Sequence, residues 1–183
     1  MAETNSYCNY VKNLEENNVH KIYHDTQYGF PIDSDNELFG RLILEINQAG
    51  LSWNTILVKQ DNFRKAYSNF DIETIANYDE KERARLLNDA GIIRNKLKVN
   101  AAIHNAGVIV ELKKDFGSFQ NWLDHHHPKT KDEWVKFFKK TFKFTGGEIT
   151  NEFLMSSGYL KGSHDTNCHI HKVILKTNPK WNQ

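Results

Sequence analysis

An acidic residue interrupts an apolar stretch of the chain where a solvated charge is not expected. Residues 44–53 read Leu-Glu-Ile-Asn-Gln-Ala-Gly-Leu-Ser-Trp, so Glu45 lies in a run of apolar residues with helical spacing and Trp53 follows it. A carboxylate that cannot reach water needs a donor, a cation or a ligand beside it. The segment therefore predicts a site for a planar, electron-poor heterocycle. A helix-capping carboxylate and a core tryptophan are the alternative interpretation.

Two pairs of potential metal ligands lie near opposite ends of the chain. Cys8 and His24 form the first pair, and His164 and Cys168 form the second. Two cysteines and two histidines supply all four ligands of a tetrahedral zinc site. Such a site is structural, because no coordination position is left for water. The loose spacing of the first pair leaves open two free cysteines and two histidines without a metal.

A short apolar turn joins two predicted helices around Gly91. Residues 87–96 read Leu-Asn-Asp-Ala-Gly-Ile-Ile-Arg-Asn-Lys, and we expect Gly91 to adopt the left-handed conformation that ends the first helix. Ile92 and Ile93 should bury the turn, and the N–H groups that begin the second helix favour a phosphate. The basic residues that follow are Arg94, Lys96 and Lys98. Residues 84–105 thus look like a helix-hairpin-helix that holds DNA by its backbone, with a simple stop between two packed helices as the alternative.

Composition limits the classes of protein to be considered. The 183 residues suffice for one domain, predicted to span 1–183, and 24 Lys and Arg balance 23 Asp and Glu. A net charge of +1 is not that of a globally basic nucleic-acid binder, so any DNA-binding surface must be local. Two cysteines are too few for a disulfide framework, and no apolar run is long enough for a membrane span. We expect a cytoplasmic protein with reduced thiols.

The apolar periodicity and the capping residues predict an all-α fold. Asp33, Ser34 and Asp35 form an N-cap cluster for a helix that reaches about residue 49. Further helices are expected over 54–68, after Asp71, after Asp79, and from Asn95 to about Leu112. The segment that holds Glu45 and the turn around Gly91 would then both be positioned by helices.

These motifs occur together, in an order that resembles 3-methyladenine DNA glycosylase I, a bacterial base-excision repair family of the helix-hairpin-helix superfamily. The resemblance extends from about residue 7 to residue 168, and the Gln-Ala-Gly-Leu-Ser-Trp run preceded by a glutamate is its most specific part. The matching segments are Cys8 with Tyr10, 23–25, 28–31, 44–45, 48–53, 89–94, 142–146, and His164 with Cys168. The resemblance implies the multi-helix glycosylase fold with a helix-hairpin-helix motif.

The resemblance assigns roles to individual positions. Glu45 matches the carboxylate that hydrogen-bonds the extruded base, Trp53 the ring that stacks on it, and Tyr23 a further aromatic contact. Leu51, next to Gly50, matches the wedge that fills the gap left in the duplex. Hairpin residues expected to contact DNA are Gly91, Ile93, Arg94 and Lys96. The four ligands are expected to bind one structural zinc ion that joins the terminal segments, here called the zinc clasp: Cys8, His24, His164 and Cys168.

Four positions depart from the family pattern. Tyr10 and Tyr28, both expected to contact the base, stand where the family has tryptophans. His20 replaces a tyrosine, and Ile46 replaces a glycine directly after the glutamate. The resemblance implies an enzyme that acts on double-stranded DNA containing alkylated adenine. No lysine nucleophile for strand cleavage is indicated, so we expect a monofunctional enzyme, and we expect it to be a monomer. Because of His20 and Ile46, a catalytically weak relative that binds lesions is the alternative.

Overall fold

The described part of the protein is built from helices. The computed structural model describes residues 6–183, which contain no strand, so residues 1–5 of the predicted domain lie outside it. The all-α prediction is confirmed. The α-helices are, in chain order, α1 (Tyr7–Val11), α2 (Val19–Thr26), α3 (Asp35–Gln48), α4 (Trp53–Leu57), α5 (Gln60–Ala66), α6 (Ile72–Ala76), α7 (Glu80–Asn88), α8 (Lys96–Phe116), α9 (Phe119–His126), α10 (Lys131–Thr141), α11 (Gly147–Ser156) and α12 (His169–Lys176).

The chain forms two compact units. One consists of Ile32–Phe153, and the other combines the residues up to Pro31 with Leu154–Gln183. Helix α11 carries the chain from the first unit into the second. Within residues 6–183, no helix has the length and apolar character required to cross a membrane.

Side-chain caps begin the helices at the predicted positions. The Ser34 hydroxyl accepts the N–H of Glu37, and the Asp71 carboxylate accepts the N–H of Thr74. Asp79 likewise caps α7. These short polar side chains satisfy N–H groups that have no partner inside the helix, so the local sequence determines where the helices begin.

Helix α3 crosses the core of the larger unit. Every residue from Leu38 to Asn47 is buried, which covers all faces of the helix over more than two turns. A helix surrounded in this way must be apolar on all sides, apart from polar groups that find partners or ligands. Glu45 therefore reaches the interior because the apolar residues around it place α3 there.

The predicted helix over 54–68 is broken. Helix α4 ends at Leu57 and α5 begins at Gln60, with Lys59 between them at φ −106° and ψ 3°. The Lys59 ammonium donates to the carbonyls of Ala90 and Gly91, at 3.0 and 3.1 Å. Apolar periodicity continues through the break, so the pattern alone did not reveal it.

In the smaller unit, the two chain segments are joined by specific contacts. The Ser6 hydroxyl donates to the Asp165 carboxylate, and the N–H of Gly29 donates to the carbonyl of Ser156 at 2.9 Å. Gly29 has a φ of +83°, and a Cβ there would lie 2.3 Å from the Ser163 hydroxyl oxygen. These contacts bring the end of α2 to the segment before α12, where the second pair of candidate metal ligands lies.

Candidate functional site

The Glu45 carboxyl lies in the interior of the larger unit. Glu45 is only 3% exposed, and its neighbours Leu44 and Ile46 are buried as well. Burial raises the pKa of the Glu45 carboxyl from its ordinary 4.5 to about 8, while the Arg41 guanidinium lowers it and the Glu152 carboxylate raises it. A carboxyl in this setting ionises readily only when a cation or a strong donor comes beside it.

A tight turn follows α3 and presents an apolar side chain to solvent. Gly50 has a φ of +79°, and Leu51 is 39% exposed. The N–H of Leu51 donates to the carbonyl of Gln48 at 2.7 Å, which closes the turn. Ser52 then caps α4, whose first residue is the half-buried Trp53. The turn thus sets an exposed leucine two residues before the tryptophan.

The predicted conformation of Gly91 is wrong. Gly91 does not have a positive φ, and α7 already ends at Asn88 with Asp89 as its extended cap. The N–H of Gly91 instead donates to the Asp89 carboxylate at 2.7 Å. A Cβ at Gly91 would lie 2.9 Å from that oxygen and 3.3 Å from Asn62. The glycine therefore leaves room for the Asp89 and Asn62 side chains, which approach the backbone here.

The start of α8 is exposed and basic, but only two of the three basic residues named from the sequence belong to this surface. Arg94 and Lys96 are exposed, and the Asn95 side chain caps the helix by accepting two N–H groups. Ile92 is buried, whereas Ile93 is half-buried. Lys98 does not belong to this surface: it is 4% exposed, so its grouping with the other two basic residues is wrong. Its side chain points to the end of α3 instead.

Aromatic rings form a cluster in the smaller unit. Tyr23 and Tyr28 are both buried, with ring centroids 5.5 Å apart, whereas Tyr10 is 55% exposed. The Tyr7 ring is near all three, with its centroid 5.7 Å from that of Tyr28, 6.4 Å from that of Tyr23 and 6.1 Å from that of Tyr10. The Tyr7 hydroxyl and the Nδ1 of the buried His20 are 3.0 Å apart. His20, one of the departures from the family pattern, therefore has a hydrogen-bond partner within the cluster.

The four predicted metal ligands lie together in the same unit. Their ligand atoms are all within 4.8 Å of one another, so this Cys/His cluster can hold a metal ion. The Nε2 of His24 lies 3.1 Å from the Nδ1 of His164 and 3.3 Å from the Sγ of Cys8. The Sγ of Cys168 lies 3.8 Å from that Nε2. A zinc tetrahedron has edges of about 3.3 Å between nitrogens and about 3.6 Å between nitrogen and sulfur, so the cluster fits.

Hydrogen bonds orient the two histidines of the cluster. The Nδ1 of His24 is 2.6 Å from an Asp25 carboxylate oxygen, and the Nε2 of His164 is 2.8 Å from the carbonyl of Tyr28. Each ring thus donates its outer N–H and turns its other nitrogen inwards, as histidine ligands of metals usually do. Burial raises the pKa of the Cys8 thiol, and the N–H of Asp165, which approaches its Sγ at 3.4 Å, acts in the opposite direction.

Sequence reasoning missed three residues that contribute to these sites. Arg41 lies one helical turn before Glu45 and acts on its charge, and a basic residue in that apolar run was a usable signal. Asp25 directly follows the candidate ligand His24, and Tyr7 directly precedes the candidate ligand Cys8. The proximity of Asp25 to a histidine was readable, whereas the central place of Tyr7 among the rings depends on the fold.

Comparison with known proteins identifies a consistent set of relatives. Residues 13–136 match the methyladenine glycosylase family. Over 174 residues the chain is 31% identical to DNA-3-methyladenine glycosylase 1 of Escherichia coli (strain K12), which covers 85% of this chain and 92% of that protein. A DNA-3-methyladenine glycosylase of Haemophilus influenzae is 30% identical over 171 residues, covering 84% of this chain and 92% of its own length.

Solved structures agree with the sequence matches. A crystal structure of 3-methyladenine DNA glycosylase I gives a TM-score of 0.75 at 32% identity, covering 85% of this chain and 95% of that chain. A variant of such an enzyme in complex with 3-methyladenine gives a TM-score of 0.77 at 26% identity, covering 85% and 94% of the two chains.

Proposed function

Since the chain belongs to the methyladenine glycosylase family, we propose that it removes 3-methyladenine from alkylated double-stranded DNA by hydrolysing the N-glycosidic bond. The enzyme would act as a monomer in base-excision repair and would not cleave the strand. The observation that carries this proposal is the buried Glu45 carboxyl, whose pKa is raised to about 8. Such a group is suited to bind a positively charged base.

Glu45 would act mainly in recognition. The glycosidic bond of 3-methyladenine is already weakened, because methylation at N3 makes the base cationic. The Glu45 carboxylate accepts from the exocyclic amine and balances the charge, and it would lose its proton as the cation arrives. A guanine base presents a carbonyl at the corresponding edge, which a carboxylate repels. Selectivity then follows from hydrogen bonding at one edge of the base.

Aromatic residues would supply the remaining base contacts. Electron-rich ring faces attract a cationic purine. We propose that Trp53 stacks on the base and that Tyr23 contacts it, with Tyr10 and Tyr28 as further aromatic contacts. The burial of Tyr23 and Tyr28 supports a fixed orientation of these two rings.

The target base must leave the duplex before it can be excised. We propose that Leu51 enters the space that the flipped nucleotide leaves. Its exposure on a turn shaped by the positive φ of Gly50 supports this role. The leucine side chain is apolar and can replace the stacking contacts of the lost base.

We further propose that residues 84–105 act as a helix-hairpin-helix, with Gly91 and Ile93 in the turn and Arg94 and Lys96 beside the phosphate. The exposure of both basic residues at the start of the long helix α8 supports this role. Such contacts hold the DNA without reading its sequence.

This proposal predicts a salt-dependent effect of two substitutions. Arg94→Ala and Lys96→Ala should each weaken duplex binding and make the slope of log K against log salt shallower by about one. Affinity for free 3-methyladenine should not change. Fluorescence anisotropy titrations at several salt concentrations measure the slope. The exposed Lys176, near the end of α12, serves as a control through Lys176→Ala. If both variants have the wild-type slope, the turn does not contact phosphate and only separates two packed helices.

We propose zinc as the metal of the cluster and a structural role for it. Cys8, His24, His164 and Cys168 would hold the ion, with Asp25 orienting one histidine. Bound zinc would supply cross-linking and no step of hydrolysis, since four protein ligands leave no position for water. It would tie residue 8 to residue 168 and so close most of the chain into a loop.

The released base is the direct test of the proposed function. From methylated duplex DNA, we expect the protein to release 3-methyladenine at least about tenfold faster than 7-methylguanine, because Glu45 accepts from an amine and repels a carbonyl. Chromatography of the released bases over time measures both. Equal rates for the two bases would contradict the assigned role of Glu45, and the strand should remain intact throughout.

A second candidate function is lesion binding with weak catalysis. Ile46 is 1% exposed directly after Glu45, where the family pattern has a glycine, and it adds volume beside the carboxyl. Tight binding to a duplex with an abasic-site analogue, without release of any base, would favour this candidate.

A further inference from the structure

Lys98 is a buried cation in the second helix of the proposed hairpin. It is 4% exposed, and burial lowers the pKa of its ammonium group. Its Nζ donates to the carbonyl of Asn47 at 2.8 Å and to the carbonyl of Ala49 at 2.7 Å. A buried ammonium is costly unless its donors are satisfied, so this geometry ties α8 firmly to the end of α3.

The two acceptors lie at a functionally important place in the chain. Asn47 is in the last turn of α3, and Ala49 is its C-terminal cap, directly before Gly50 and Leu51. The last carbonyls of a helix lack partners inside the helix and carry its negative end, so a cation is favoured there. Lys98 thus satisfies the groups from which the Gly50–Leu51 turn begins.

Local hydrogen bonds close the turn. Its closing hydrogen bonds, from the Leu51 N–H to the Gln48 carbonyl and from the Gln48 amide to the Leu51 carbonyl, lie within the turn itself. A Cβ built on Gly50 would meet no atom within 4 Å, so the turn is open on that side. Lys98 reaches the same segment from another helix, 49 residues away from Ala49.

We propose that Lys98 is a positioning residue that holds the Gly50–Leu51 turn to α8, so that DNA bound at the hairpin meets Leu51 at the target nucleotide. The inference rests on the proposed function and adds a residue that touches neither base nor DNA. Burial and two backbone acceptors exclude Lys98 as a phosphate contact. The lysine makes the hairpin and the wedge parts of one rigid arrangement.

A double-mutant cycle tests this link. Lys98→Met keeps most of the apolar stem and removes the ammonium, and Leu51→Ala removes the wedge. We expect each single variant to lower the single-turnover rate of 3-methyladenine release from duplex DNA at least about tenfold, and the double variant to be little slower than either. Affinity for free 3-methyladenine and for undamaged duplex should stay within about twofold of wild type.

Controls separate positioning from loss of structure. Lys114→Met removes an exposed lysine from the same helix and should leave all these quantities unchanged. Lys98→Arg, which retains the cation and its donors, should recover part of the rate. If Lys98→Met does not fold, the same cycle is measured with Lys98→Gln, which can still donate to one carbonyl. Multiplicative effects of the two substitutions, or a wild-type rate in the Lys98 variants, would overturn the proposal.

The cycle remains informative if the wild-type protein releases no base. That result would contradict the proposed function and not the link between Lys98 and Leu51. The coupling is then measured on affinity for a duplex that carries an abasic-site analogue opposite 2-aminopurine, whose fluorescence reports insertion of the wedge. Independent effects of the two substitutions on this signal would reject the link by itself.

Discussion

Glu45→Gln should lower the single-turnover release of 3-methyladenine by roughly 10- to 100-fold, the range for a lost hydrogen bond to a charged group. The substitution keeps the size of the side chain but removes the negative charge and replaces one acceptor with a donor. Affinity for the free base should fall with the rate. Glu37→Gln is the matched control, because Glu37 lies on the same helix and pairs with Arg64 away from the interior. A Glu45→Gln variant with the wild-type rate and base affinity would remove Glu45 from the site.

The same substitution should raise stability at high pH. With a folded pKa of about 8 against an ordinary 4.5, the native Glu45 keeps its proton where the unfolded chain loses it. The native state then binds more protons, so this residue's contribution to the free energy of unfolding falls as the pH rises from about 4.5 to about 8. Glutamine has no such titration. The variant should therefore gain on the order of 4 kcal/mol over wild type at pH 8 and little at pH 4.5.

Urea denaturation of both proteins across this pH range measures the difference. Taking the difference between the two proteins removes the contribution of every other titrating group that they share. A gain in stability together with a loss of activity is the signature of a charged group buried for function. A constant difference from pH 4.5 to pH 8 would show that the carboxyl is not held in its neutral form.

Cys168→Ser should remove the bound metal and lower the melting temperature on the order of 10 °C, because metal binding contributes directly to folding. The four ligand atoms lie within 4.8 Å of one another, although they come from both ends of the chain. Elemental analysis of protein purified without added metal should find about one zinc per chain in the wild type and almost none in the variant. A chelator should have the same effect as the substitution.

Activity distinguishes a structural ion from a catalytic one. Below the melting temperature of the variant, 3-methyladenine release should persist, since a closed four-ligand site carries out no chemistry. His169→Ser is the matched control, because His169 is the next residue, is exposed and is not among the four ligands. The zinc clasp would be excluded if the wild-type protein folds without zinc and if neither chelator nor Cys168→Ser changes the melting temperature. Lost activity at full stability would instead indicate a catalytic metal.

Much of the local structure was predictable from the sequence. The caps at Ser34, Asp71 and Asp79 act on N–H groups two or three residues away, so the residues that determine them are neighbours in the chain. The apolar run around Glu45 likewise predicted its burial, because a helix apolar on every side has to be covered. The four residues of the Cys/His cluster could be named from the sequence as candidate metal ligands, although the nitrogen that each histidine turns inwards required coordinates.

Tertiary structure decided the features that depend on distant partners. Lys98 looked like a phosphate contact, but it is buried because two carbonyls at the end of α3 accept its ammonium. Gly91 looked like a left-handed helix stop, but the nearby Asn62 and Asp89 side chains explain the glycine. The break at Lys59 serves contacts with the turn more than 30 residues away. Caps and periodicity carry information over one or two helical turns, whereas these three roles depend on which helices pack together.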